Sequence, residues 1–185
     1  MKKVLVTGMS GLIGGLLRDH LERLGSYELS ALNRRRVEGV PCLQADIADL
    51  EAIKPAFQGI DVVVHLAAYT GDIDSWEGNL SGNIVGAYNL LEACRLNGVR
   101  RVAYASRAGL LAPYPEDTMR TMDMLPRPES YYSVSKVFGE SLGWMYSSQH
   151  DIEFVAVRIG NFSRDRALPE HPHQLGHGDA VLVFE

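Results

Sequence analysis

The sequence predicts a doubly wound α/β fold, a parallel sheet with helices on both faces, from three observations. Short apolar segments alternate with helix-period segments as far as about residue 160. A glycine-rich turn, Thr7-Gly8-Met9-Ser10-Gly11-Leu12-Ile13-Gly14, follows the first apolar segment and opens a helix. One segment, Asp61-Val62-Val63-Val64-His65-Leu66, is almost continuously apolar, as a central strand covered on both faces must be.

Taken in order, Lys3 to Val6 is the first strand, and Leu16, Leu17, His20, Leu21 and Leu24 recur at the spacing of one helix face. Tyr27 to Leu32 reads as a second strand and Val40 to Gln44 as a short third. A helix from Leu50 to Phe57 precedes the central strand. A long helix runs from about Ser75 to Asn97 and stops at Gly98. Arg101 to Ala105 is the fifth strand, Tyr131 to Gln149 a further helix, and Ile152 to Arg158 the sixth strand. Beyond Gly160 the period is lost. Asn161 to Gly178 carries prolines and three histidines and reads as a loop, and Asp179 to Glu185 begins either a helix or a strand. The expected organisation is therefore a nucleotide-binding domain over 1–160 and a loop-rich tail over 161–185, the tail being the start of a substrate-binding region that is cut short.

Composition bounds the partners. At 185 residues, 46% apolar and 22% charged, the chain suffices for one globular domain with a sizeable core. A net charge of −5, with no basic stripe beyond Arg34-Arg35-Arg36, argues against nucleic acid or an anionic membrane as partner. No apolar run approaches the ~20 residues of a membrane span, and the one after Lys2-Lys3 stops at Thr7-Gly8, too early for a signal peptide. Cys42 and Cys94 have neither paired nor metal-type spacing, so reduced thiols in a cytoplasmic protein are expected. His171, His173 and His177 lack a cysteine or carboxylate to complete a ligand set, so no metal is expected.

Two motifs carry chemistry. Glycines in a strand–turn–helix let backbone N–H groups approach a pyrophosphate, whose charge then sits at a helix N-terminus. Tyr132 and Lys136, four residues apart on a helix, share a face. An ammonium there favours the phenolate and brings tyrosine toward working pH, which suits a general acid or base for an alcohol that exchanges hydride with a nicotinamide. Tyr131 is five residues from Lys136 and is not chosen.

Over residues 2 to 161 the sequence resembles the extended short-chain dehydrogenase/reductases, the group that includes NAD-dependent sugar-nucleotide epimerases and dehydratases, and within it the uronate dehydrogenases. The resemblance rests on Thr7 to Gly14, Asp46-Ile47, His65-Leu66-Ala67-Ala68, Asn83-Ile84-Val85-Gly86 with Asn89 to Ala93, Tyr132-Ser133-Val134-Ser135-Lys136, and Val157-Arg158-Ile159-Gly160. It implies a Rossmann domain in which Gly8, Ser10, Gly11, Leu12, Ile13 and Gly14 cradle the cofactor. Asp46 and Ile47 would hold the adenine ring, Leu66, Ala67 and Ala68 would line the channel, and Ile159 would lie near the nicotinamide. Asn83 matches a family asparagine that supports the active site, with ordinary helix packing as its other reading. Gly78, Gly82 and Gly86 would permit close helix contact, and the corresponding helix commonly builds a homodimer.

The sequence departs from that pattern twice. Where the family carries a catalytic Ser or Thr after the fifth strand, this chain has Arg107, preceded by Ser106. Arginine accepts no hydrogen bond and is always charged. It would either grip a carboxylate or stabilise an oxyanion, or else point away and leave catalysis impaired. The second departure is at the end of the second strand. An acidic residue that accepts from the ribose hydroxyls of NAD is expected there, and Asn33-Arg34-Arg35-Arg36 stands instead. That favours NADP over NAD, through Asn33 and Arg34, unless the arginines are a solvated loop. The function expected is an NAD(P)-dependent oxidoreductase acting on a sugar or sugar acid. The alternatives are an epimerase or dehydratase of a nucleotide sugar, and a non-catalytic NAD(P)-binding protein.

Overall fold

A computed structural model describes residues 1–162 and 176–184. Six strands form one sheet: β1 (Lys2–Thr7), β2 (Tyr27–Asn33), β3 (Cys42–Gln44), β4 (Val62–His65), β5 (Arg101–Arg107) and β6 (Glu153–Ile159). Every pairing is parallel, in the order β3-β2-β1-β4-β5-β6. The sheet is the doubly wound one that the alternation predicts. Because the chain winds outward from β1 in one direction and from β4 in the other, a crevice opens at the carboxyl ends of those two central strands.

The helices are α1 (Leu12–Leu24), α2 (Leu50–Ile53), α3 (Trp76–Asn79), α4 (Gly86–Asn97), α5 (Tyr131–His150) and α6 (His177–Leu182). Alternation along β1 divides the core: Leu5 packs with Ile53, Phe57, Leu90 and Leu91 on the face covered by α2 and α4. Val4 and Val6 pack with Leu17 and Leu21 of α1 on the other. That second cluster also takes in Val181 and Phe184, so the segment left open as helix or strand is a helix that lies against α1. His171 and His173 lie outside the described residues.

The helix expected over 75–97 forms with one interruption. Between α3 and α4, Leu80–Val85 is a π turn, and Gly98 ends α4 in the left-handed conformation, φ 71°. Two asparagines accompany the π turn. Asn79 Nδ2 donates to the carbonyls of Ile73 and Ser75, and Asn83 brackets Tyr69, accepting from its N–H at 2.7 Å and donating to its C=O at 3.2 Å. The loop after β4 is thus tied to the helix that follows. The glycines expected to serve helix contact face inward instead. A β-carbon on Gly78 or Gly82 would strike the Tyr69 side chain, and one on Gly86 would lie 2.8 Å from Ile47.

α5 lies close over the sheet because two of its residues lack side chains. A β-carbon at Gly139 would strike the Tyr104 ring, and one at Gly143 the Phe154 ring. An exposed helical Gly→Ala change stabilises by up to ~1 kcal/mol. Overpacking costs about 1–3 kcal/mol, and here it wins. Gly143→Ala is expected to lower the midpoint of urea unfolding, and a raised midpoint would refute this packing.

Candidate active site

The crevice at the switch point is a cavity of 870 Å³. Its floor is the glycine turn. Gly8 has φ +73°, and a β-carbon there would lie 2.7 Å from the backbone N of Ala67. At Gly14 a β-carbon would lie 2.6 Å from both the Gly8 carbonyl oxygen and the Met9 Cα. All these neighbours are backbone and cannot move aside. Gly11 caps α1 with no side-chain acceptor, and no acidic residue stands in the first turn. The first N–H groups of a 13-residue helix therefore face the cavity unneutralised. That arrangement fits an anion such as the pyrophosphate of a dinucleotide.

Thr7 locks this floor to β4. Its hydroxyl accepts from the Ala67 N–H at 3.1 Å and shares a 2.7 Å hydrogen bond with His65 Nδ1. His65 is fully buried and stacks on Tyr104 with 5.4 Å between centroids. Burial, aided by the Lys136 charge, pushes its imidazole down to about 3, so it is neutral in the folded protein.

Most of the residues singled out in the sequence meet in this one cavity. Gly8, Ser10, Gly11, Leu12, Ile13 and Gly14 line it from the turn, Asn33 and Arg34 from the end of β2, and Asp46 and Ile47 from the loop after β3. Leu66, Ala67 and Ala68 line it after β4, Ser106 and Arg107 from β5, Tyr132 and Lys136 from α5, and Ile159 from β6. Asn83 does not line it. It acts on the cavity through Tyr69, which does. Sequence reasoning passed over Tyr69, although glycines at 71 and 78 mark the space its ring fills. Arg35 also lines the cavity. The arginine run therefore splits by role: Arg36 pairs with Glu38 at 3.0 Å, whereas Arg34 and Arg35 have no acidic partner among the described residues. Asn33 Nδ2 donates to Ser10 Oγ at 2.8 Å and to the Arg35 carbonyl, joining the end of β2 to the glycine turn.

Lys136, which also lines the cavity, is buried and donates to the Ala105 carbonyl at 2.8 Å, with its Nζ 5.4 Å from the Tyr132 ring centroid. Burial first, and the Arg107 charge second, lower its ammonium to about 8. Tyr132 differs from the sequence expectation. Burial raises its phenol above the usual value, and the cation that draws it back down is Arg107 rather than Lys136. Arg107 stands with its Cζ 5.5 Å from the Tyr132 ring centroid and donates from Nη1 to Ser133 Oγ at 3.2 Å. The hydroxyl of Ser106 points elsewhere, donating to Glu140 at 2.6 Å. Glu140 in turn holds Arg158 through two hydrogen bonds of 2.7 and 2.9 Å. Among the described residues, no group of three His, Cys, Asp or Glu side chains could hold a metal ion. No described helix is long and apolar enough to cross a membrane.

A model of the NAD dependent epimerase/dehydratase family matches residues 4–175. A uronate dehydrogenase of Agrobacterium fabrum is 38% identical over all of this chain and 71% of its own length. An L-arabinose 1-dehydrogenase (NAD(P)(+)) of Haloferax volcanii is 35% identical over 86% of this chain and 67% of its own. A crystal structure of a uronate dehydrogenase mutant from Agrobacterium tumefaciens complexed with NAD superimposes with a TM-score of 0.88 at 32% identity, over all of this chain and 71% of that one. The chain spans 59% of another solved chain, a mutated uronate dehydrogenase.

The His65 geometry yields a pH dependence. An unfolded histidine takes up a proton near its ordinary value of 6.5, whereas the folded one does so only at about 3, so stability falls as pH drops through that window. Between pH ~7 and pH ~5 the expected contribution is a loss of about 2 kcal/mol. Urea unfolding across that range checks it: His65→Gln is expected to be less stable at neutral pH but flatter, and an unchanged slope would sink the assignment.

Proposed function

Because this chain belongs to the NAD dependent epimerase/dehydratase family, we propose that it is an NAD(P)-dependent oxidoreductase acting on a hydroxyl or carbonyl of a sugar or sugar acid. One observation carries the reading: the glycine cradle and the Tyr132/Lys136 pair line the same cavity. The nicotinamide, when bound, supplies the hydride acceptor or donor. The chain's own residues do the rest. Backbone N–H groups from Gly11 onward hold the pyrophosphate, and Asp46 and Ile47 flank the adenine. Tyr132 takes the hydroxyl proton of the sugar, or returns it in the reverse direction. Lys136, fixed on the Ala105 carbonyl, keeps its charge beside Tyr132 at neutral pH. The relatives named above support the substrate class, being dehydrogenases of uronates and of L-arabinose by name.

In this reading the domain over 1–160 binds the cofactor, and the tail over 161–185 begins the substrate side. NADP is the favoured cofactor. Its 2′-phosphate finds Arg34 and Arg35 at the cavity edge without a competing carboxylate among the described residues. The Asn33 side-chain oxygen is left to accept from the ribose. A homodimer belongs to the same reading. It is supported by the exposed Tyr88 and Leu96 of α4 and Trp144 and Met145 of α5.

Parallel fluorescence titrations with NADPH and NADH test the cofactor assignment. NADPH is expected to bind about tenfold tighter, the worth of one charge-assisted contact, and Arg34→Glu to abolish that preference. Binding of neither nucleotide would refute the reading. For the chemistry, Tyr132→Phe is expected to lower kcat on uronates by about 10²–10⁴-fold with NADPH affinity unchanged. Equal turnover in the variant would remove Tyr132 as the acid and base, and no turnover in the unaltered chain would leave a nucleotide-binding protein without this chemistry.

A further inference from the structure

Arg107 is more than a missing hydroxyl, because the chain around it accommodates the guanidinium. Gly109, two residues on, leaves the space the guanidinium fills: a β-carbon there would lie 2.5 Å from Arg107 Nη2 and 2.7 Å from its Nε. On the other side, Nη1 donates to Ser133 Oγ, which is itself 3.0 Å from Ser130 Oγ. Ser130 is the N-cap of α5 and accepts from the Ser133 N–H at 3.1 Å. The cation is therefore docked on the capped start of the helix whose second residue is Tyr132. No carboxylate neutralises it among the described residues. The neighbouring acid, Glu140, is taken by Arg158 and Ser106.

We propose that the guanidinium of Arg107, held between Gly109 and Ser133 beside the Tyr132 ring, stabilises the Tyr132 phenolate and thereby supplies a positive charge on which proton transfer at this site depends. Arg107 is then a positioning residue acting through Tyr132, and the inference rests on the reading of Tyr132 as acid and base.

The surroundings of Tyr132 leave this role open to Arg107. From α5 comes Lys136, whose ammonium is committed to the Ala105 carbonyl and, at about 8, loses its charge above neutrality, whereas a guanidinium does not. From β5 comes Tyr104, a buried phenol that stays protonated. From β4 comes His65, neutral when folded. Glu140, paired with Arg158, spends its charge there. The loop whose Ile73 carbonyl accepts the Tyr132 N–H brings Asp72 and Asp74, and α3 brings Glu77. All three carboxylates are exposed to solvent. Arg107 is the permanent cation nearest the ring and the one that draws the phenol down.

The test reads the phenol itself and needs no substrate. Residue 132 is replaced by 3,5-difluorotyrosine, which ionises nearer neutrality, and its titration is followed by fluorine NMR in the full chain. Arg107→Met is expected to move the midpoint up by about one pH unit, and Arg107→Lys to restore most of the shift. Gly109→Ala, which keeps every charge and only crowds the guanidinium, is expected to move it part of the way. A midpoint unmoved or lowered in Arg107→Met overturns the proposal. Should Arg107→Met not fold, Gly109→Ala decides in its place, an unmoved midpoint again counting against. Displaced midpoints in a protein that oxidises no sugar would sustain the role of Arg107 and sink the proposed function, so the two fail separately.

Discussion

The approach on which the rest of the structure depends is that of Gly8 to the peptide joining Leu66 and Ala67. Two backbone segments, the turn after β1 and the loop after β4, meet there with no room for a β-carbon. The Thr7 hydroxyl clamps the same junction from below by holding the Ala67 N–H. Everything functional hangs from this contact. It joins the carboxyl ends of β1 and β4, directs the first turn of α1 at the cavity, and sets Leu66 to Ala68 in its lining. Gly14 closes the arrangement by letting α1 lie directly on the turn it starts from.

The parts of this design written in local sequence were legible. A strand, a glycine turn and a helix that follow one another directly need no tertiary information, and an i, i+4 pair such as Tyr132 and Lys136 shares a face wherever the helix goes. The parts that depend on what lies across a gap were not. Gly78, Gly82 and Gly86 have the spacing of a helix contact, but the object they approach, Tyr69 or Ile47, is set by how the loops after β4 and β3 fold back. Arg107 reads as a lost hydroxyl until Gly109 and Ser133 are seen around it. Arg34 to Arg36 read as one basic run, although Glu38 removes one of the three. A short apolar end such as 179–184 carries too few residues to show a period, so only its packing on α1 identifies it as a helix.

Electrostatics at the site are governed by burial as much as by neighbours. Desolvation is the leading influence on His65, Tyr132 and Lys136 alike, and it favours the neutral form of each. For the proposed chemistry, which needs a charged lysine and an ionisable tyrosine, the site must therefore offset its own dryness. The Ala105 carbonyl does this for Lys136, and a guanidinium, more weakly hydrated than an ammonium, is well suited to a half-buried position beside a phenol.

The π turn at Leu80–Val85 accommodates one residue more than an α-helical turn would. Each helical residue adds about 100° of rotation, so the two ends of the helix are held out of phase by that extra residue. The first end presents Asn79 to the loop carrying Tyr69, with Asn83 of the turn itself holding Tyr69, and the other end presents Leu90 and Leu91 to the core. Removing a single residue from the turn would restore a regular helix and break one of these two alignments. The extra residue of the π segment is thus what lets one continuous helical stretch serve two partners that a regular helix could not face at once.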